Sequence, residues 1–117
     1  MDNVTEEKLH DLGMDIPSTL ERFLDNEDML LKFLRKFADD TNMDRLEKAI
    51  ANEDIKEAFE ATHAMKGVSA NLSLGKLNTL VAEQTEYFRN DQFEKGKAMM
   101  DAVKEKYQEA KAIVSTL

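Results

Sequence analysis

The chain has 117 residues, enough for one domain with one core and too few for a nucleotide-binding kinase domain beside anything else. Sixteen Lys and Arg against twenty-four Asp and Glu give a net charge of −8, a field that repels phosphate backbones and anionic lipid and so argues against nucleic acid or membrane partners. Without cysteine, disulfides, thiolate catalysis and Cys-ligated metals are excluded.

The first residues, Met1 to Lys8, are polar and lack the basic and apolar regions of a signal peptide, and no apolar run approaches a membrane span. A soluble, cytoplasmic domain is expected. Four glycines, one proline and no alternating strand-like run make every predicted element a helix. Thr5 is placed to cap a short first helix that fades at Gly13. Asp15 caps a second, with Pro17 in its first turn, where a missing N–H costs nothing. Asn26 precedes a stronger stripe of Leu30, Phe33, Leu34 and Phe37. Asp39-Asp40-Thr41-Asn42 interrupts that stripe before Met43, Leu46, Ala49 and Ile50 resume it. One long bent helix and two short ones both fit, and the single helix is preferred. Asp54 with Glu57 opens the next helix, which runs to about Asn71. Ser73 is placed to cap a helix carrying Leu74, Leu77, Val81 and Phe88; Asp91 with Glu94 opens a last one through Phe93, Met100, Val103, Tyr107, Ala110 and Val114. The prediction is an all-α single domain over 1–117. An antiparallel up-down-up-down four-helix bundle spans about 27–117, and short N-terminal helices, about 1–25, cover one end as a lid.

On a wheel of about 100° per residue, Ala58, Ala61, Met65, Val68 and Leu72 form the core face of the Asp54–Asn71 segment. His63 lies almost opposite, on a stripe with Lys56, Phe59, Glu60, Lys66, Gly67 and Ala70. Lys66, one turn on, stabilises an anion beside the imidazole. Gly67 costs about 1 kcal/mol relative to Ala inside a helix, so it needs a reason, and a bare turn lets another molecule approach the ring. Each residue alone reads as ordinary surface. The three together suggest a nucleophile that carries phosphate and enters another protein's active site.

The run His63-Ala64-Met65-Lys66-Gly67-Val68-Ser69-Ala70-Asn71-Leu72 resembles the signature of histidine-containing phosphotransfer (HPt) domains, which join H, K and G at this spacing. The resemblance covers essentially the whole chain, including Asp15-Ile16-Pro17 through Asn26-Glu27 and Ala49 to Asp54. It implies the same four-helix bundle. It implies too that His63 accepts phosphate from a receiver's aspartyl phosphate and passes it to another receiver aspartate. Lys66 would then assist the phosphate electrostatically, and Gly67 would leave room for the receiver. The receivers, of response regulators or hybrid histidine kinases, would supply Mg²⁺, and neither a cofactor nor autokinase activity is expected of this chain. The family commonly has glycine where this chain has Ser73. It also sets a polar side chain of the next helix against the imidazole; an ungapped count places Thr85 there, with Gln84 as second choice. Receiver docking is expected on Phe59, Ala64, Val68 and Ala70, with the lid edge near Ile16 and Leu20, unless Phe59 is covered by the N-terminal helices.

Glu60-x-x-His63 and Glu7-x-x-His10 show the E-x-x-H spacing of di-iron bundles, but the first pair points away from its apolar face and the second sits on a short terminal helix. No metal site is expected, and His10 reads as ordinary surface. No nucleophile elbow and no Walker or Rossmann glycine loop occurs. The reading is a standalone phosphorelay carrier; the alternative is a non-catalytic helical-bundle adaptor that binds partner helices or receiver domains.

Overall fold

A computed structural model describes residues 1–117 as eight α-helices and one 3₁₀ turn. In chain order these are α1 (Asn3–Asp11), α2 (Ile16–Arg22), α3 (Glu27–Lys36), the 3₁₀ turn (Phe37–Asp39), α4 (Asn42–Ala51), α5 (Ile55–Asn71), α6 (Gly75–Arg89), α7 (Phe93–Ala98) and α8 (Met100–Val114). The all-helical class matches the expectation. No helix is long and apolar enough to cross a membrane.

Four helices start where a short polar side chain takes up a free backbone N–H. Asp2 accepts from Thr5 at 2.7 Å, Asp15 from Ser18 at 3.5 Å, Asn26 from Met29 at 3.0 Å and Asp54 from Glu57 at 3.1 Å. Asp15 and Asp54 are caps the sequence predicts, and Asn26, read only as preceding its stripe, is a third. Thr5 is not one: it lies inside α1 and donates to the true cap, Asp2, whose carboxyl those hydrogen bonds hold below its ordinary range. Ser73 and Asp91 are also not caps. Both adopt left-handed backbone, with φ of 55° and 59°, and Leu74 and Gln92 precede the helices instead.

Two predicted helices are broken. The 27–51 segment turns through the 3₁₀ turn, and Asp40 is extended, with ψ of 138°. The Tyr107 hydroxyl donates to the Asp40 carbonyl at 2.8 Å and to its carboxylate at 2.6 Å. Lys111 also donates to that carbonyl, and the Asp40 carboxylate accepts from the Asn42 N–H at 3.0 Å, starting α4. Asp40 thus gives its carbonyl and carboxylate to α8 and α4 rather than to a continuous ladder. The last segment breaks at Met99, where the Gly96 carbonyl accepts from Met99 at 3.2 Å and from the buried Gln84 amide at 3.0 Å.

Helix α5 packs between α4 and α6, while α6 also meets α7 and α8, and α8 meets the 3₁₀ turn. Leu30, Leu34, Leu46, Met65, Leu77, Val81 and Val103 are among the fully buried residues between them. The N-terminal helices lie where α5 gives way to α6. Leu9, Leu12 and Met14 are buried, Lys76 donates to the Leu12 carbonyl at 3.2 Å, and the Gly13 backbone presses on Gly75 so closely that neither position has room for a side chain. Arg22 at the end of α2 donates to the Ala70 carbonyl at 3.2 Å and to Ser73 Oγ, which also bonds Thr19.

Candidate functional site

The buried face of α5 is Ala58, Ala61, Thr62, Met65 and Ser69. Small residues let α4 and α6 approach closely, and the two hydroxyls are spent on their own helix: Thr62 donates to the Ala58 and Phe59 carbonyls, and Ser69 to that of Lys66. Val68, predicted for this face, is only half-buried; the deeper place belongs to Ser69, which receives a hydrogen bond from Asn78 of α6 at 3.0 Å.

His63 is exposed on the outer side of α5. Its ring stacks on Phe59, one turn earlier, with centroids 5.6 Å apart and planes 20° apart. Neither ring nitrogen has a hydrogen-bond partner within the chain. Lys66 is half-buried and forms no ion pair, so its ammonium is available to an anion arriving beside the imidazole. Gly67 is exposed, and a Cβ built there would meet nothing within 4 Å. Asn78 Nδ2 donates to the Lys66 carbonyl at 3.1 Å, tying this turn of α5 to α6. Sequence reasoning missed Asn78; its signal is a polar residue beside the apolar stripe of Leu74, Leu77 and Val81.

The predicted imidazole orienters lie elsewhere. Thr85 is fully buried and its hydroxyl donates to the Val81 carbonyl of its own helix at 2.6 Å. Gln84 is equally buried and reaches away to Gly96 and to Met100 Sδ. Residue counting alone cannot give the rotation of α6 about its axis, which turns both side chains inward.

Of the predicted docking residues, Ala64 and Val68 are half-buried and Ala70 is exposed. Phe59 is half-buried, but not under the N-terminal helices: it neighbours Ile55, Phe88 and Arg89 at the far end of α5. The proposed lid edge does not join it, since Ile16 is buried and α2 is anchored at Ala70 and Ser73, eleven residues or more along the chain from Phe59. Val68 instead lines a groove of about 520 Å³ with Phe23, Phe33, Phe37 and Leu72, rimmed by Arg22 and Lys36. Glu60 and His10 are exposed, and no group of three or more His, Asp or Glu side chains is placed to hold a metal ion.

Fold and sequence together describe an all-helical domain with an exposed histidine one turn from a lysine and a bare glycine. The Hpt domain family matches residues 20–113 of this 117-residue chain, and the chain belongs to that family. At the level of the family this means phosphotransfer in two-component signalling and interaction with receiver domains. Comparison with curated proteins and with solved structures gives no match.

Proposed function

We propose that this protein is a phosphorelay carrier, in which His63 takes phosphate from the aspartyl phosphate of one receiver domain and hands it to the aspartate of another. The observation that carries this reading is the exposed His63 imidazole beside an unpaired Lys66 and an unobstructed Gly67. In the forward step the lone pair of one ring nitrogen, Nε2, forms the N–P bond as the P–O bond to the receiver's aspartate breaks, and the electron pair leaves on that carboxylate. The proton on the other ring nitrogen is shared with water. Lys66 offsets the charge of the phosphoryl oxygens, and the receiver supplies Mg²⁺ and its own stabilising side chains. The return step reverses these bonds on a second receiver.

The receivers belong to response regulators or hybrid kinases, which places the chain in the cytoplasm. Residues 1–117 act as one domain. Its segments α3–α4, α5, α6 and α7–α8 run up, down, up and down as a four-helix bundle. This is supported by their packing in chain order and by three-residue connections at 52–54, 72–74 and 90–92. Docking uses the face around His63, with Ala64, Ala70 and the apolar groove beside Val68.

The test is labelling by phosphorylated receivers of wild type and His63→Gln, followed by acid and alkali treatment. Acid-labile, alkali-stable label on wild type and none on the variant is expected. Because His63 is exposed, the substitution should change stability by no more than about 0.5 kcal/mol. Undiminished labelling of the variant would move the assignment to His10, the other histidine. Receiver binding without labelling would make the protein an adaptor.

A further inference from the structure

We infer that Phe59 is a positioning residue for the His63 imidazole, holding by its ring face a side chain that no hydrogen bond orients. The inference rests on the reading of His63 as phospho-acceptor. Side chains on a helix lean toward its N-terminus, so the ring at 63 comes over the residue four earlier. There it meets Phe59 with planes 20° apart and centroids 5.6 Å apart, an offset stack within the usual aromatic range.

The two polar side chains best placed by sequence to steer the imidazole are committed elsewhere, Thr85 to Val81 and Gln84 to Gly96. A lone imidazole on an outer helix face would move among rotamers, and a nucleophile pays for such freedom in the rate of an in-line attack. Phe59 is itself held. It is half-buried against the core, beside Ile55 and Phe88, and the Arg89 guanidinium lies over its ring, 5.2 Å from the centroid. Arg89 is tied in turn to Glu86 at 3.1 Å. The imidazole is thus steadied from α6 through a second ring. A face contact has a further consequence: both nitrogens lie on the ring edge and stay open, whereas a hydrogen bond would occupy one of them.

The experiment measures transfer from a phosphorylated receiver at rising receiver concentration for wild type, Phe59→Leu, Phe59→Tyr and Arg89→Gln. His63 ring-proton NMR shifts are recorded in each. Phe59→Leu keeps apolar bulk but removes the ring; its maximal rate should fall roughly tenfold, less than the hundredfold that a 1 Å misplacement can cost. The half-saturating receiver concentration should stay put. Phe59→Tyr should restore the rate, and the ring-current shift of the His63 protons should vanish in the Leu variant and persist in the Tyr variant. Should Phe59→Leu lose its helical circular dichroism, Arg89→Gln, an exposed change, decides by a smaller fall in the same maximal rate. A wild-type maximal rate in the folded Leu variant, or a change confined to the half-saturating concentration, overturns the inference and makes Phe59 inert or a docking contact. Absence of label on wild type would defeat the phosphocarrier reading instead, and the NMR shift would still decide whether Phe59 holds the ring.

Discussion

Three of the four glycines are explained by crowding. Side chains at Gly13 and Gly75 would strike each other's backbone environment, and one at Gly96 would enter the Phe88 ring. Gly67 has open space, so the fold gives no reason for it, and helix propensity argues against it by about 1 kcal/mol. What remains is the approach of another molecule. Gly67→Ala should therefore raise stability in a urea melt by up to about 1 kcal/mol. Gly67→Gln should slow transfer without lowering the melting temperature, and Lys66→Ala should slow it through lost charge. Normal transfer by Gly67→Gln would move the docking surface off this turn. His63, Lys66 and Gly67 were legible in the sequence because all three sit on one helix, where spacing alone sets relative direction. Thr85 was not, because its relation to His63 passes between helices, and the stacking of Phe59 on His63 was not, because periodicity shows a shared stripe but not a stacked pair.

At the scale of the elements, local and distant causes separate cleanly. Asp15, Asn26 and Asp54 cap helices through atoms three residues away, and such caps can be read directly. The connections hide their geometry better. Glu53, Ser73 and Asp91 each take the left-handed conformation that glycine favours, and the following residue closes the turn through Asp54 to Ala49, Leu74 to Ser69 and Gln92 to Tyr87 at 2.8 to 2.9 Å. Ser73 thus keeps the backbone a glycine would have and adds a hydroxyl that anchors Arg22 and Thr19. The break before α4 depends on Tyr107, 67 residues downstream, which no window of sequence could show. That tyrosine carries a pH prediction. Burial first, and then its hydrogen bond to Asp40, push its hydroxyl well above the ordinary value of 10.0. The folded chain keeps the proton that the unfolded chain releases, so the contribution is full below about pH 10 and is lost as pH rises further. Tyr107→Phe should cost about 1.5–3 kcal/mol at neutral pH, as for hydrogen bonds to charged groups. It should also flatten the alkaline fall in urea-unfolding free energy, leaving the weaker dependence of Tyr87, raised by its bond to Glu83, and of Lys104, raised by its bond to Glu47. An alkaline slope unchanged in the variant would place the sensitivity elsewhere.

For the molecule as a whole, the family match and the physical folding unit do not share a boundary. The match begins at residue 20, yet Leu9, Leu12, Met14 and Ile16 are buried members of the same core as Leu74 and Leu77. Backbone joins them too, through the Leu12 carbonyl and the Lys76 N–H, and through the close seat of Gly13 on Gly75. The far end of the chain is tied in by Lys8, which donates to the Thr116 carbonyl at 3.5 Å. A chain beginning at Asp15 keeps the cap of α2, the whole His63 turn and every residue lining the groove, so by its signature it should work. By its physics it should not. Fully burying Leu9, Leu12 and Met14 contributes about 1.5–3 kcal/mol each, and their combined loss is comparable with the roughly 5–15 kcal/mol that holds a typical domain together. Truncation tolerance follows the burial of what is removed, not its position at a terminus. The shortened chain should therefore show a urea midpoint far below that of the full chain, with reduced helical circular dichroism at 25 °C. A midpoint equal to that of residues 1–117 would show that α1 is an appendage and that the folding unit needs nothing before Asp15.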